Sequence, residues 1–456
     1  MKDSNTTTVL HLMGRLDLGG MARIMQGLCT PASRPPFFSV VGGLTADPKL
    51  VADLNQQGVS AGSIGEDLSR LTNLIGGNKR FVVVIHRSGE ESLFWNRLLP
   101  MLRDAGAFLI LNQNVFPHYD LGPTTELTDV YLFYSRDSMR QHWKGLGRPN
   151  VDEYLEKHRV LYCAVHLDPS LQELATKRAN LRTQLGIPQN AFVIGDTCRP
   201  DARRLDIFGL AVFPRLLREV PDCWFVARRF PETGLYVLNK AAKKRLCNLP
   251  VTYNKEDMIS TYAALDVFIH MTCMGESFGM VIGEAMRCGL PVIANETPKE
   301  DVGNSQGELV IHGETGFLAN DPCSALTYLV ELARSPSLRK NMGTAGKHRF
   351  TIHPYSPKSI VQQFDNEIAR LAHRKGIDLP GLFDPIDRDP SDEQMRDFLL
   401  HHSRTFSVPL APAPWPEKPW ATWVNSQRQM WRVITKLSDP KTGKWRRPNL
   451  GKLLGR

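Results

Sequence analysis

Residues 272–294 read TCMGESFGMVIGEAMRCGLPVIA: a tight turn, a helix, a stop and the opening of a buried strand. The apolar run at 267–270 just before them is itself a short strand. Gly275 and Gly279 permit the turn, because glycine alone enters left-handed backbone without a steric penalty. A helix is expected at about 278–288, and Gly289-Leu290-Pro291 ends it and leads into a strand at 291–294. Strand, turn, helix, strand is the repeating unit of a parallel sheet. The helix N-terminus follows the strand end, where its N–H groups and positive partial charge suit an anion. Two carboxylates ride on this unit, Glu276 in the turn and Glu284 on the helix. The first is placed to accept hydrogen bonds from sugar hydroxyls. The second is placed to hold a ribose diol, as an acidic residue does in dinucleotide sites.

The same rhythm extends in both directions. Around the opening stretch it comprises strands at 192–197 and 224–227 and helices at 207–220 and 255–264. Nearer the N-terminus lie apolar, β-branched or aromatic runs at 8–13, 37–41, 81–85, 108–111 and 130–134, with a helical pattern at 91–103. Two series imply two doubly wound α/β domains of the Rossmann-like kind, each binding ligands beyond the carboxyl ends of its strands. Two such domains facing each other would enclose a cleft. The expected boundaries are 1–168 for the N-terminal domain, 169–355 for the C-terminal domain, 356–375 for a closing amphipathic helix and 376–456 for an extension dense in proline and tryptophan.

The 456 residues allow two or three domains, and 42% hydrophobic with 23% charged residues is ordinary for a globular chain. The net charge of +9 favours an anionic partner without choosing among phosphates, nucleic acid and acidic lipid. The eight cysteines follow no zinc or redox spacing and read as reduced thiols of a cytoplasmic protein. No stretch approaches the ~18 apolar residues of a spanning helix, and the polar start does not read as a signal peptide.

At residues 276–294 the chain resembles the retaining glycosyltransferases of the GT-B fold, and among them the large family 4. Their phrase E-x-F-G-x-x-x-x-E-A-M-x-C-G-x-P-V-I-A is matched by Glu276, Phe278, Gly279, Glu284, Ala285, Met286, Cys288, Gly289, Pro291, Val292, Ile293 and Ala294. The likeness covers most of 8–373. LHLMGRLDLGG at 10–20 resembles the family's first strand and Gly-Gly loop, although Ala22 stands where the family usually has Glu. VLYCAVHLD at 160–168 sits where the family often has V-I-P-N-G-V-D, without the Asn-Gly. YAALDVFIHM at 262–271 and GELVIHGETGFL at 307–318 resemble two further family phrases. The usual acceptor-side His after the fourth strand is replaced by NQNVF at 112–116.

The resemblance implies a nucleotide-diphosphate sugar as donor substrate, retention of configuration and no cofactor. It assigns Arg199 and Arg204 to the donor diphosphate, Glu276 to the transferred sugar, Glu284 to the ribose, and Gly19 and Gly20 to a close approach by the N-terminal loop. Ser277, Phe278 and Gly279 would offer backbone N–H groups. His86, at the end of a buried strand, and Asn114 are candidates for contact with the sugar or acceptor. Each has a plainer reading: a solvated basic turn for the arginines, a helix-start carboxylate for Glu276, a structural histidine for His86. Asp387-Arg388-Asp389 imitates a metal-binding Asp-x-Asp, but it adjoins a capping box at Ser391–Gln394 and reads as an acidic helix start; no metal is expected. The rival functions are a non-catalytic nucleotide-sugar-binding relative and a sugar-nucleotide epimerase of the same fold. The acceptor (glycan, lipid-linked or small molecule) is not specified, and no nucleic-acid partner is expected.

In the tail, Trp420, Trp423, Val424, Trp431, Ile434 and Leu437 recur at helical spacing beside a basic stripe of Arg428, Arg432 and Lys436. Two readings stand. The stripe over 420–456 could lie on an anionic membrane as an in-plane helix. Alternatively, the tryptophans pack against the enzyme body, as amphipathic helices commonly do.

Overall fold

The computed structural model describes residues 7–437 except 18–19, 30–32, 35–36, 65–67, 76–80, 88–91, 115–121, 198–204, 229, 231, 253, 298–302, 380–387, 403–406 and 409–417. It divides into two compact units: Met1–His166 with Thr351–Ser403, and Leu167–Phe350 with Arg404–Arg456.

The described residues of unit 1 form eight strands: β1 (Thr7–Leu16), β2 (Ser33–Arg34), β3 (Phe37–Ala46), β4 (Ser60–Ser63), β5 (Phe81–Arg87), β6 (Ala107–Asn114), β7 (Val130–Phe133) and β8 (His158–Val160). Their order is β2-β3-β1-β5-β6-β7-β8, with β4 also pairing with β3. All pairs are parallel except β2–β3. Strand β5, FVVVIHR, is buried throughout, as a central parallel strand covered on both faces must be. β1 feeds two cores, Leu10 and Leu12 packing with Val83, Ile85 and Trp95, and Met13 and Leu16 with Met25, Val41 and Leu50.

Unit 2 carries six parallel strands: β9 (Phe192–Asp196), β10 (Cys223–Arg228), β11 (Leu246–Leu249), β12 (Val267–His270), β13 (Val292–Ala294) and β14 (Gly316–Leu318), in the order β11-β10-β9-β12-β13-β14. In each unit the strand order reverses beside the first strand of the series. β1 lies between β3 and β5, and β9 between β10 and β12. Such a reversal parts the connections to either side and leaves a crevice beyond the carboxyl ends, where open α/β sheets take ligands.

One helix differs from the sequence reading. The helix expected at 207–220 is two short ones, Phe208–Ala211 and Phe213–Glu219, joined at Val212, with Pro214 at the start of the second. The helix Pro357–Arg374 belongs to unit 1, and the extension is shared between the units. In the tail helix Lys418–Leu437, Val424 and Trp431 lie in the core of unit 2 and Arg428 pairs with Asp206, as the reading of a helix packed against the enzyme body expects for these residues. Among its described side chains only the outer ones, Trp423 and Met430, expose large apolar surface. No helix among the described residues is long and apolar enough to cross a membrane.

Candidate functional site

β9 and β12 flank the reversal in unit 2, and each ends on a polar residue. Asp196 closes β9 and His270 closes β12. His270 is 1% exposed. Its Nδ1 donates to Asp196 Oδ1 at 3.3 Å and its Nε2 donates to Glu276 Oε1 at 3.2 Å. Burial disfavours charge on the ring, but the two carboxylates outweigh it and raise the pKa from 6.5 to about 10. An imidazolium therefore holds Glu276 at the strand ends, with its side chain partly open to solvent.

The turn carrying Glu276 is fastened to a second loop. The Glu276 N–H donates to Gln306 Oε1 at 3.1 Å, while the Ser305 hydroxyl lies 2.8 and 2.7 Å from the carbonyl oxygens of Glu276 and Phe278. Gly275 has φ +64°, and a Cβ there would stand 1.7 Å from the Gly303 carbonyl oxygen. Only glycine permits both the backbone and the approach. Phe278 is buried, Ser277 is half-buried, and Gly279 caps the helix Met280–Arg287 in the left-handed region at φ +94°. The helix's first turn leaves N–H groups that it cannot itself satisfy at the same end of the sheet.

Glu284 lies one turn along this helix and is 2% exposed. The Tyr262 hydroxyl donates to its Oε2 at 2.7 Å, and the Thr197 hydroxyl, 2.9 Å away, donates to the Tyr262 oxygen. Burial, then the charge of Glu284, pushes the Tyr262 phenol well above its ordinary range, so it remains a donor. Two carboxylates are thus fixed at one end of one sheet, Glu276 by an imidazolium and Glu284 by a phenol. Residues 189–335 match the family described as group 1 glycosyl transferases.

The matched segment holds both glutamates and the described residues that orient them, Asp196, Thr197, Tyr262 and His270. A stretch of 137 residues of the chain is 30% identical to an uncharacterised glycosyltransferase of Methanocaldococcus jannaschii, covering 29% of this chain and 37% of that protein. A stretch of 113 residues is 28% identical to the N-acetyl-alpha-D-glucosaminyl L-malate synthase of Bacillus anthracis, covering 24% and 28%. The chain therefore matches well under half the length of either relative. The fold agrees with that of Anabaena HepE in complex with UDP and glucose, at TM-score 0.59 and 17% identity over 80% of this chain and 100% of that one. The architecture is thus that of the GT-B glycosyltransferases, two parallel-sheet α/β domains.

The remaining candidates fare differently. Arg199, Arg204 and Gly19 lie outside the described residues, as does Asp387. Gly20 opens the helix Gly20–Cys29 after β1, at the reversal of unit 1. Asn114 ends β6, with its side chain outside the described set. His86 is not the last residue of β5, which runs on to Arg87, and it presents no surface to a ligand. It is fully buried, its Nε2 lies 2.9 Å from His11 Nδ1, and burial lowers its pKa to about 3 despite Gln113 nearby. No cluster of three or more His, Cys, Asp or Glu suited to a metal occurs among the described residues. The described residues of the Asp387-Arg388-Asp389 stretch are engaged in ion pairs, Arg388 with Asp392 and Glu367 and Asp389 with His353, next to a formed capping box at Ser391 and Gln394.

Sequence reasoning missed Asp196, His270, Tyr262 and Thr197 as site residues. A weak signal existed: Asp196 and His270 are polar residues that end apolar runs, the positions a parallel sheet points toward its ligand.

Proposed function

We propose that this protein transfers a glycosyl group from a nucleotide-diphosphate sugar to an acceptor, with retention of configuration and without a metal. The observation that carries this reading is the pair of oriented carboxylates at the reversal in unit 2. Glu276 would accept hydrogen bonds from the hydroxyls of the transferred sugar. Glu284, held by Tyr262, would accept those of the ribose diol. Arg199 and Arg204 would answer the negative charge that grows on the diphosphate as the sugar–phosphate bond breaks, a contribution largest in the transition state. Retention follows the family resemblance. The sequence offers no pair of carboxylates spaced to flank the bond as in retaining glycosidases, which favours a front-side displacement assisted by the departing phosphate. Unit 1 would serve the acceptor. A UDP-sugar donor is supported by the neighbour whose structure holds UDP and glucose.

The test begins with a thermal-shift screen against UDP, GDP and their sugars, since a ligand that binds only the folded state raises its melting temperature. Release of nucleoside diphosphate from the stabilising donor is then followed, and the anomeric configuration of the product is read by NMR. A chain that no nucleoside diphosphate or nucleotide sugar stabilises would overturn the reading. Binding without turnover, with any acceptor, would make it a non-catalytic relative.

A further inference from the structure

Resting on that reading, we propose that the tail helix Lys418–Leu437 is a strap that holds the bridge between Leu205 and Thr272, and with it the glutamate turn, and that Arg428 is its positioning residue. Leu205 directly follows the segment that contains Arg199 and Arg204. It forms an antiparallel bridge with Thr272, four residues before Glu276. The Asp206 N–H donates to the Met271 carbonyl at 3.0 Å beside it. One short bridge thus ties Leu205 and Asp206 to the residues that lead into the glutamate turn.

The tail helix grips this bridge. The Trp431 indole N–H donates to the Leu205 carbonyl at 3.0 Å, and its ring, 1% exposed, sits against Gly234. The Arg428 guanidinium meets the Asp206 carboxylate with two nitrogens, Nε at 3.0 and 3.1 Å and Nη2 at 2.6 Å. It also lies over the Phe208 ring at 4.5 Å. Asp206 is 4% exposed in its side chain. A planar two-nitrogen contact on a buried carboxylate fixes direction as well as distance, a property suited to holding a loop in register. The same carboxylate accepts from the Phe208 N–H at 3.2 Å and so also orients the helix that leaves the bridge. A residue from beyond position 400 is therefore the charge partner of the segment that follows the proposed diphosphate arginines.

The experiment compares the full-length protein with Arg428→Gln, Arg428→Lys and Trp431→Phe, all well below their melting temperatures. Hydrogen exchange is expected to quicken in Arg428→Gln at 205–208 and 272–279 while β9 and β12 stay protected. With the donor found by the thermal-shift screen, kcat should fall about tenfold or more, because a small misplacement of a charged group can cost about a hundredfold. KM should change far less. Arg428→Lys should recover part of the loss, and Trp431→Phe, which keeps the ring and removes the N–H donor, should fall between. A merely structural role would lower the melting temperature and leave exchange at both loops and the kcat of the folded enzyme unchanged; that result overturns the strap. An inactive wild type would instead overturn the proposed activity, and the exchange data would still decide the strap.

Discussion

Replacing His270 by Gln removes the positive charge that contacts both Asp196 and Glu276. The histidine is buried, with a pKa raised from 6.5 to about 10 because the two carboxylates outweigh the cost of burial. In the unfolded chain the ring titrates near its ordinary value. Between these two pH values the folded protein keeps a proton that the unfolded chain releases, so stability falls as pH rises. The contribution is complete below 6.5 and gone above about 10. The limiting slope is ~1.4 kcal/mol per pH unit, or roughly 3 kcal/mol between pH 6.5 and 9. Gln carries no charge at any pH, so it takes an imidazolium away from the buried Asp196 carboxylate and the partly open Glu276 carboxylate at neutral pH. The variant should be less stable than wild type there by about 3–5 kcal/mol, the cost of breaking a buried pair. That gap should narrow steadily toward pH 9. Urea unfolding of both proteins at half-unit steps of pH measures the gap directly. A gap that stays constant across the window would mean the folded ring is neutral, and the account of how Glu276 is held would be wrong.

Glu284→Ala should weaken binding of whichever nucleoside diphosphate stabilises the wild type by about 1–3 kcal/mol, the worth of hydrogen bonds to a charged acceptor, which is roughly 5- to 150-fold in Kd. Titration calorimetry showing an unchanged Kd removes the ribose role. Arg199→Ala should lower kcat more than it raises KM, since the charge it answers develops in the transition state; steady-state kinetics with only KM raised would mark uniform binding instead. Gly275→Ala should destabilise by more than the roughly 1–2 kcal/mol of left-handed backbone alone, because its Cβ would also strike the Gly303 carbonyl. A melting temperature within a degree of wild type would show that the two loops are not packed as described.

The strands that carry the site were legible because they are runs of apolar, β-branched and aromatic residues, FVIGD at β9 and VFIH at β12. β4 was not, because SAGS has no strand character of its own and is made a strand by pairing with β3. The pair of glutamates was legible because a long specific phrase surrounds them. Their partners were not: Asp196 and His270 are 74 residues apart, and only the strand order brings them together. The tail shows the converse limit. Its aromatic stripe could be read, but a lipid surface and a protein core ask for the same spacing. Asp206, 222 residues from Arg428, settles where that part of the helix lies.

The order in which the chain builds its two units bears on its synthesis. Residues up to 350 supply most of unit 2, yet Trp431 and Arg428 arrive only after the chain has returned to complete unit 1. At about 5–20 residues per second, the stretch from 350 to 431 occupies a ribosome for roughly 4–16 s. Through that interval Asp206 is without its guanidinium, and the apolar recess at Ile207, Phe230 and Gly234 is without its indole. A nascent chain paused there carries a defined hydrophobic opening beside an uncompensated carboxylate. Chaperone dependence during translation should therefore peak late and end as the tail helix emerges.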